Sequence, residues 1–290
     1  MDVLSIRDIE KTDIEKILDR AGEIAAKGSG NALKGKVLAT LFFEPSTRTK
    51  LSFQSAALHS GMEYIDFLPE TSSLKKGESF VDTIRTVAGY ADAVVVRHPK
   101  EGSARLAADS IDKPVINGGD GANQHPTQTL IDLYSIKKSK GRIKGLNVTL
   151  LGDLKHARTM RSLVYALGMF GAEVTLVSPK GLEMDPAYLK ELKERFDFKV
   201  SLKSEPQYSS ADVLYVCRIQ QERFADPYEA KMVTEKFMIK KADLKDAKDD
   251  LVILHPLPKI NEIESSIDDM KQAKYFEQAH NGVPVRQAIL

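Results

Sequence analysis

Short runs of apolar, β-branched and aromatic residues alternate with helix-period stretches along this chain, and that alternation limits its fold more than any other feature. Four runs occupy 37–43, 64–67, 93–96 and 114–116, each followed by a polar loop and an amphipathic pattern. Five more occupy 148–151, 174–177, 198–202, 213–216 and 251–254, with helical stretches such as 157–170 between them. A strand that leads into a helix-length crossover returns parallel to itself, so the pattern predicts βαβ units and an α/β fold. The first helix is predicted over Ile14, Ile17, Leu18, Ala21, Ile24 and Ala25, opened by a Thr12-x-x-Glu15 capping box and closed by Gly28-Ser-Gly30. The basic stretch 137–145 separates the two sets of runs and reads as the connection between two domains, the number that 290 residues favour.

Composition excludes several classes of function. Lys and Arg total 42 against 41 Asp and Glu, a net charge of +1, so there is no broad basic field to hold a nucleic-acid backbone. The single cysteine, Cys217, allows neither an internal disulfide nor a Cys-x-x-Cys zinc site, and fits a reducing cytoplasm. No apolar run approaches the roughly 20 residues of a membrane span, and the N-terminus carries acids in its first turns, unlike a secretory signal. The six histidines show no His-x-x-x-His or His-x-x-Glu-His spacing, so no metal is expected. Gly-x-Ser-x-Gly, the P-loop and the three-glycine dinucleotide fingerprint are also absent, which argues against a serine nucleophile, ATP and NAD.

In parallel sheets ligands bind beyond the carboxyl ends of the strands. Arg48 follows the first run, Arg97 ends the third, Arg158 follows Leu151-Gly-Asp153, and Arg218 follows Val216-Cys217. One arginine at a strand end is compatible with a solvated charge; four of them suggest a small polyanionic substrate, because guanidinium forks pair bidentately with phosphate and carboxylate.

The sharpest local signal is Phe42-Phe-Glu-Pro-Ser-Thr-Arg-Thr-Lys50, a strand running into a hydroxyl-rich turn that opens a helix. Backbone N–H groups at that helix start, with Ser46, Thr47, Arg48 and Thr49, form a candidate phosphate cradle, while Ser46 can equally act as a plain N-cap. The loop Thr71 to Glu78 offers Lys75 and Lys76 before a helix that begins near Phe80. The glycine-rich loop Gly118 to Gln128 brings His125 and Gln128 to a helix start, where a neutral imidazole can donate to a carbonyl oxygen or simply pack. Leu254-His-Pro-Leu-Pro258 follows the last run, and its two prolines stiffen a turn that presents backbone carbonyls.

Taken in order, Phe43-Glu-Pro-Ser-Thr-Arg-Thr49, Ser73-Leu-Lys-Lys-Gly-Glu78, Arg97-His-Pro99, His125-Pro-Thr-Gln128, Gly152-Asp-Leu-Lys155 with Arg158, Arg218-Ile-Gln220 and His255-Pro-Leu-Pro258 resemble the aspartate/ornithine carbamoyltransferase family over nearly the whole chain. His255-Pro-Leu-Pro258 and Arg218-Ile-Gln220 stand where ornithine-type members carry His-Cys-Leu-Pro and Ser-Met-Gly, which points to the aspartate type. The resemblance implies two domains, each a parallel β-sheet flanked by helices, with the active site in the cleft between them and at a subunit interface. It implies a carbamoyl-phosphate-binding domain over 1–137, an aspartate-binding domain over 146–273, and a C-terminal helix, 274–290, packed back on the first. It further implies that Ser46, Thr47, Arg48 and Thr49 bind phosphate, that Thr49, Arg97 and His125 reach the carbamoyl oxygen, and that Gln128 takes the carbamoyl nitrogen. Arg158 and Arg218 would hold the carboxylates of L-aspartate, supported by Gln220, with the Pro256 and Leu257 carbonyls on the reacting amino groups. Ser72 and Lys76 would enter a neighbouring subunit's site, making a homotrimer the minimal active unit, with room for separate zinc-containing regulatory chains. The implied reaction is carbamoyl transfer from carbamoyl phosphate to aspartate, an early step of pyrimidine synthesis, in the cytoplasm, with no cofactor and no covalent intermediate.

Two alternatives remain open on the residues: another amine acceptor such as ornithine, and a non-catalytic anion-binding protein, which would have no use for Lys76, His125 and Gln128 together. Because no metal-ligand spacing is present, carbamoyl transfer assayed by phosphate release is expected to survive exhaustive chelation; a chelator-sensitive rate would require a metal site of another kind.

Overall fold

The computed structural model describes residues 1–221, 224 and 226–290. The chain divides into two compact units, Met1–Tyr134 with Asn281–Leu290, and Ser135–His280. In the first, β1 (Val37–Phe42), β2 (Glu63–Phe67), β3 (Ala93–His98) and β4 (Val115–Asp120) form a parallel sheet in the order β2-β1-β3-β4. Helices α1 (Lys11–Lys27), α2 (Thr47–His59), α3 (Phe80–Ala88), α4 (Ser103–Ala108) and the start of α5 (Pro126–Lys140) accompany it. The inner strands β1 and β3 are buried on both faces, with Leu38, Ala39, Leu41, Val94 and Val95 fully enclosed, which is why they read as continuous apolar runs. Edge strand β2 is largely exposed.

In the second unit, β5 (Asn147–Leu151), β6 (Glu173–Val177), β7 (Val200–Lys203), β8 (Val213–Val216) and β9 (Val252–Leu254) form a parallel sheet in the order β7-β6-β5-β8-β9. Its helices are α6 (Arg158–Met169), α7 (Pro186–Arg195), α8 (Pro227–Phe237) and α9 (Tyr275–His280). Leu151, Val177, Leu214, Val216, Ile253 and Tyr275 form one buried cluster. The last helix, α10 (Gly282–Ile289), returns to the first unit and packs on α1 and α2. Among the described residues no helix is long and apolar enough to cross a membrane.

Each run predicted from sequence is a strand, but four local expectations need correction. Helix α1 starts at Lys11 after Glu10, which makes no side-chain cap, so Thr12 lies inside the helix and is not its capping residue; Gly28 closes it at φ 77°. Lys137, Lys138 and Lys140 belong to the last turn of α5, where cations suit the helix dipole, so the connection begins only at Gly141. Gly118 to Asp120 extend β4 and are not loop, because Gly118 lets the strand lie close against Val96 and His98 pairs with Asp120. The segment 274–290 does not act as one piece: α9 stays with the second unit through Tyr275, and only α10 joins the first.

Helix α10 carries Arg286 into the interior of the first unit at 3% exposure, its guanidinium 4.7 Å from the centre of the Phe53 ring in α2. A Cβ on Gly282 would lie 2.6 Å from that guanidinium, so a larger residue there would displace the Arg286 side chain. Burial, then the Arg97 guanidinium, pushes Arg286 down to about 9, and the fully buried Asp132 opposes the shift. Removing one partner of such a pair strands the other's charge, so Arg286→Met and Asp132→Asn are each expected to lose about 3 kcal/mol. The double variant should recover part of the sum. Urea unfolding of the four proteins measures the coupling, and strictly additive losses would separate the two charges.

Candidate active site

Strand order reverses once in each sheet, and every arginine singled out in the sequence lies at a reversal. In the first unit the chain runs from β1 outward to β2, then returns to place β3 on the other side of β1. Loops leaving β1 and β3 therefore diverge to opposite faces and open a crevice at the carboxyl ends of these strands. Phe42 pairs with Arg97 across that seam, and the Phe43 amide donates to the Arg97 carbonyl at 2.8 Å.

The β1 loop enters α2 at Ser46, which occupies the N-cap position with φ −159° and ψ 93° but makes no side-chain capping bond. The first ladder bond of α2 runs from the Lys50 amide to the Ser46 carbonyl, so the earlier amides of the turn point outward without ladder partners. Thr47 and Arg48 are exposed, and Thr49 is buried at 6%. Burial of part of its side chain lowers the Arg48 pKa. A cavity of ≈ 460 Å³ beside this turn is lined by Glu44, Ser46, Thr47, Lys50, Gln54 and Asp66 among others, and Lys50 pairs with Asp66 at 2.6 Å. Its size suits a small metabolite.

Arg97 reaches the Gly118 carbonyl at 3.1 Å and Glu44 at 2.8 Å, so the β1, β3 and β4 ends are tied together by one guanidinium. His98 packs its ring on Phe43 and Phe80; burial, then Lys100, lowers its pKa against Glu44. His125 is buried at 4% just before α5, and its carbonyl accepts from the Gln128 and Thr129 amides. The loop that carries it is organised by Asp120, whose carboxylate accepts from the Gly102 and Gln124 amides and the Asn117 and Asn123 side chains. Gln128 donates to Asp132 at 2.8 Å, which links it to the charge of Arg286. Arg97, His125, Gln128 and the 46–49 turn thus belong to one unit.

The loop that carries Ser72 and Lys76 contains two short 3-10 turns, Pro69–Thr71 and Ser73–Lys76, with Ser72 at the junction between them and Lys76 at the end of the second. The Ser72 hydroxyl donates to the Pro69 carbonyl at 2.9 Å, and Gly77 at φ 91° ends the second turn. Lys76 is exposed and makes no ion pair among the described residues.

In the second unit the reversal lies between β5 and β8, where Leu151 pairs with Val216 and the Cys217 amide donates to the Leu151 carbonyl at 2.8 Å. Gly152, at φ 130°, is mandatory there, since a Cβ would lie 2.2 Å from the Cys217 carbonyl oxygen. Asp153 is fully buried and holds His156 by its amide at 2.9 Å, fixing the entry to α6, whose first residue is Arg158. Arg218 and Gln220 follow β8 directly and are half-buried. A cavity of ≈ 460 Å³ in this unit is lined by Lys155, His156 and Lys180 among others, and its cations favour carboxylates. Burial pushes the Cys217 thiol up, leaving a protonated sulfur that donates to the Asp153 carbonyl and is no nucleophile. After β9, Pro256 and Leu257 are half-buried, Leu257 sits at φ 56°, and the Leu257–Pro258 bond is cis. No group of three or more His, Cys, Asp or Glu among the described residues is placed to hold a metal ion.

Sequence reasoning passed over Glu44, Asp120, Asp132, Asp153, Glu262 and the function of Arg286. Two carried a signal: Asp132 lies one turn beyond Gln128, and Arg286 is the lone cation of a short apolar helix. Of the rest, Asp120, Asp153 and Glu262 act through backbone amides and Glu44 through the Arg97 guanidinium, all brought near by the fold.

Family models describing the carbamoyl-P binding domain and the Asp/Orn binding domain of aspartate/ornithine carbamoyltransferase match residues 1–138 and 144–290. The aspartate carbamoyltransferase catalytic subunit of Thermococcus kodakarensis is 51% identical over 296 residues, covering 100% of this chain and 95% of that protein. The catalytic subunit of M. jannaschii aspartate transcarbamoylase superposes with a TM-score of 0.93 at 46% identity, covering 99% of this chain and 96% of that one. Aspartate transcarbamoylase from Trypanosoma cruzi, solved with N-(phosphonacetyl)-L-aspartic acid, matches with a TM-score of 0.93 at 33% identity, covering 99% and 94%. On its motifs, its two parallel sheets and these matches, the chain belongs to the aspartate/ornithine carbamoyltransferase family.

Proposed function

We propose that the two strand-order reversals divide one reaction between them, the first holding carbamoyl phosphate and the second L-aspartate. The chain is an aspartate carbamoyltransferase: it moves the carbamoyl group of carbamoyl phosphate to the α-amine of aspartate, giving N-carbamoyl-L-aspartate and phosphate. The observation that carries the assignment of sites is the position of Arg48 and Arg97 at one reversal and of Arg158 and Arg218 at the other. Two anionic substrates need cations at both.

In this reading the α2 amides with Ser46, Thr47, Arg48 and Thr49 hold the phosphate. The neutral amine attacks the carbamoyl carbon, a C–N bond forms, and the carbonyl oxygen becomes an oxyanion facing Thr49, Arg97 and His125. Loss of one such donor costs about 10²- to 10³-fold in rate. The C–O bond to phosphate then breaks, and the departing phosphate takes the proton released by the new C–N nitrogen. Gln128, oriented by Asp132, takes the carbamoyl nitrogen; the Pro256 and Leu257 carbonyls accept from the amino groups; Arg158 and Arg218, with Gln220, bind the aspartate carboxylates. The protein supplies position and charge, and no cofactor enters the balance. The reaction serves pyrimidine synthesis in the cytoplasm. Residues 1–134 with 281–290 bind carbamoyl phosphate and 135–280 bind aspartate.

The assembly is a homotrimer in which Ser72 and Lys76 complete a neighbour's site. Lys76 has no ion pair among the described residues, and Leu51, Leu58, Tyr64, Ile65 and Leu68 of α2, β2 and the residue after it are exposed, apolar surface that a second copy would cover. Zinc-containing regulatory chains remain compatible with this trimer.

Two experiments test the proposal. Aspartate is expected to be carbamoylated and ornithine refused, and Arg218→Ala should raise the KM for aspartate about 10²-fold while carbamoyl phosphate affinity stays within about threefold. Equal loss for both substrates would remove Arg218 from its assignment. Arg48→Ala and Lys76→Ala proteins should each be nearly inactive, yet co-refolded mixtures should regain about a quarter of parental activity, the fraction of sites with both residues intact in a randomly mixed trimer. Inactive mixtures of verified trimers would return Lys76 to its own chain's site.

A further inference from the structure

The turn after β9 is held by a buried polar pair that the transfer reaction does not touch. His255 and Glu262 have side-chain exposures of 1% and 4% and meet at 2.7 Å between Nε2 and Oε1. The other carboxylate oxygen of Glu262 accepts from the Ile260 amide at 3.1 Å and the Asn261 amide at 3.0 Å. With the imidazole at one oxygen and two amides at the other, the Glu262 carboxylate acts as an acceptor throughout. On the opposite side of the imidazole, Nδ1 accepts from the Leu257 amide at 2.8 Å, and the His255 amide donates to Gln278. An acceptor at Nδ1 and an acceptor facing Nε2 leave one proton arrangement, the neutral ring carrying its proton on Nε2. That ring fixes the amide of Leu257, a non-glycine residue at φ 56° in a region that needs such reinforcement.

We propose that His255, set in one tautomer by Glu262, is the positioning residue of the Pro256–Leu257 turn and aims its two carbonyl oxygens at the amino groups of the substrates. This inference rests on the substrate role of those carbonyls given above. Apolar residues of similar volume would close the same space, but would leave the Leu257 peptide free to rotate. A peptide misplaced by about 1 Å costs on the order of 10²-fold in rate.

The test uses the full-length protein. His255→Ala should lower kcat about 10²-fold while the Kd for inorganic phosphate stays within about threefold, since the phosphate cradle belongs to the other unit. His255→Asn should regain at least about tenfold of that loss, because its side-chain oxygen can take the Leu257 amide proton. Glu262→Gln, nearly isosteric, should lower kcat about tenfold, because its NH₂ must face either the His255 Nε2 proton or the Ile260 and Asn261 amides. This variant carries the test if His255→Ala does not fold. Unchanged kcat in folded variants, a parallel loss of phosphate affinity, or an Asn variant no better than Ala would overturn the inference. A crystal structure of the parent protein with N-(phosphonacetyl)-L-aspartate separates the two levels. Carbonyls beyond hydrogen-bond reach of the ligand's amide nitrogen overturn the substrate reading and the inference with it. Carbonyls in contact, together with unchanged kcat, overturn the inference alone.

Discussion

Strand order reverses once in each sheet, and the candidate arginines lie at the strand ends that flank the two reversals. A right-handed crossover carries the chain to one side of β1 and the next carries it to the other, so adjacent strand ends part company and leave a crevice that no loop fills. The backbones beneath each crevice touch. The Phe43 amide bonds to Arg97, the Cys217 amide bonds to Leu151, and Gly152 passes so close to the Cys217 carbonyl that no side chain fits. Residues just beyond these contacts inherit a fixed position from the sheet, which is the rigidity that a reaction run by positioning needs.

Cations gathered for anionic substrates repel one another, and the fold offsets that repulsion with carboxylates. Arg97 faces Glu44 at 2.8 Å on one side and the buried charge of Arg286 on another, while Asp132 opposes Arg286 and holds Gln128. The second unit buries its carboxylates too, Asp153 under the α6 entry and Glu262 under the turn after β9. Each accepts backbone amides, so each fixes a loop as well as a potential.

These carboxylates share a design. Asp120 takes four donors around the loop that ends at His125, much as Glu262 takes two amides and an imidazole. Loops of this kind carry few apolar contacts, and a buried acceptor that collects several amides gives them order that packing cannot. The residues that would meet substrate thus stand one bond away from residues that never do.

The class of the fold and the strands among the described residues were legible in the sequence, because strand burial is written as apolar runs; arginine, hydroxyl and helix start marked the candidate anion site, and the remaining candidate residues came from the family resemblance. Its local errors had local causes. A capping box at Thr12 lost to a helix capped two residues earlier, at Glu10, and the glycines of β4 looked like loop because glycine gives no sign of which backbone it lets approach. The residues that hold the candidate site's loops in place emerge only from the folded chain. Asp120, Asp132, Asp153, Glu262 and Arg286 act through amides, rings and charges distant along the chain or set by loop geometry, and a charged residue in a sequence gives the same signal whether water or a buried partner awaits it. The division of the last seventeen residues between the two units was likewise invisible, since it rests on whether Tyr275 and Arg286 find their cavities, and that depends on shape.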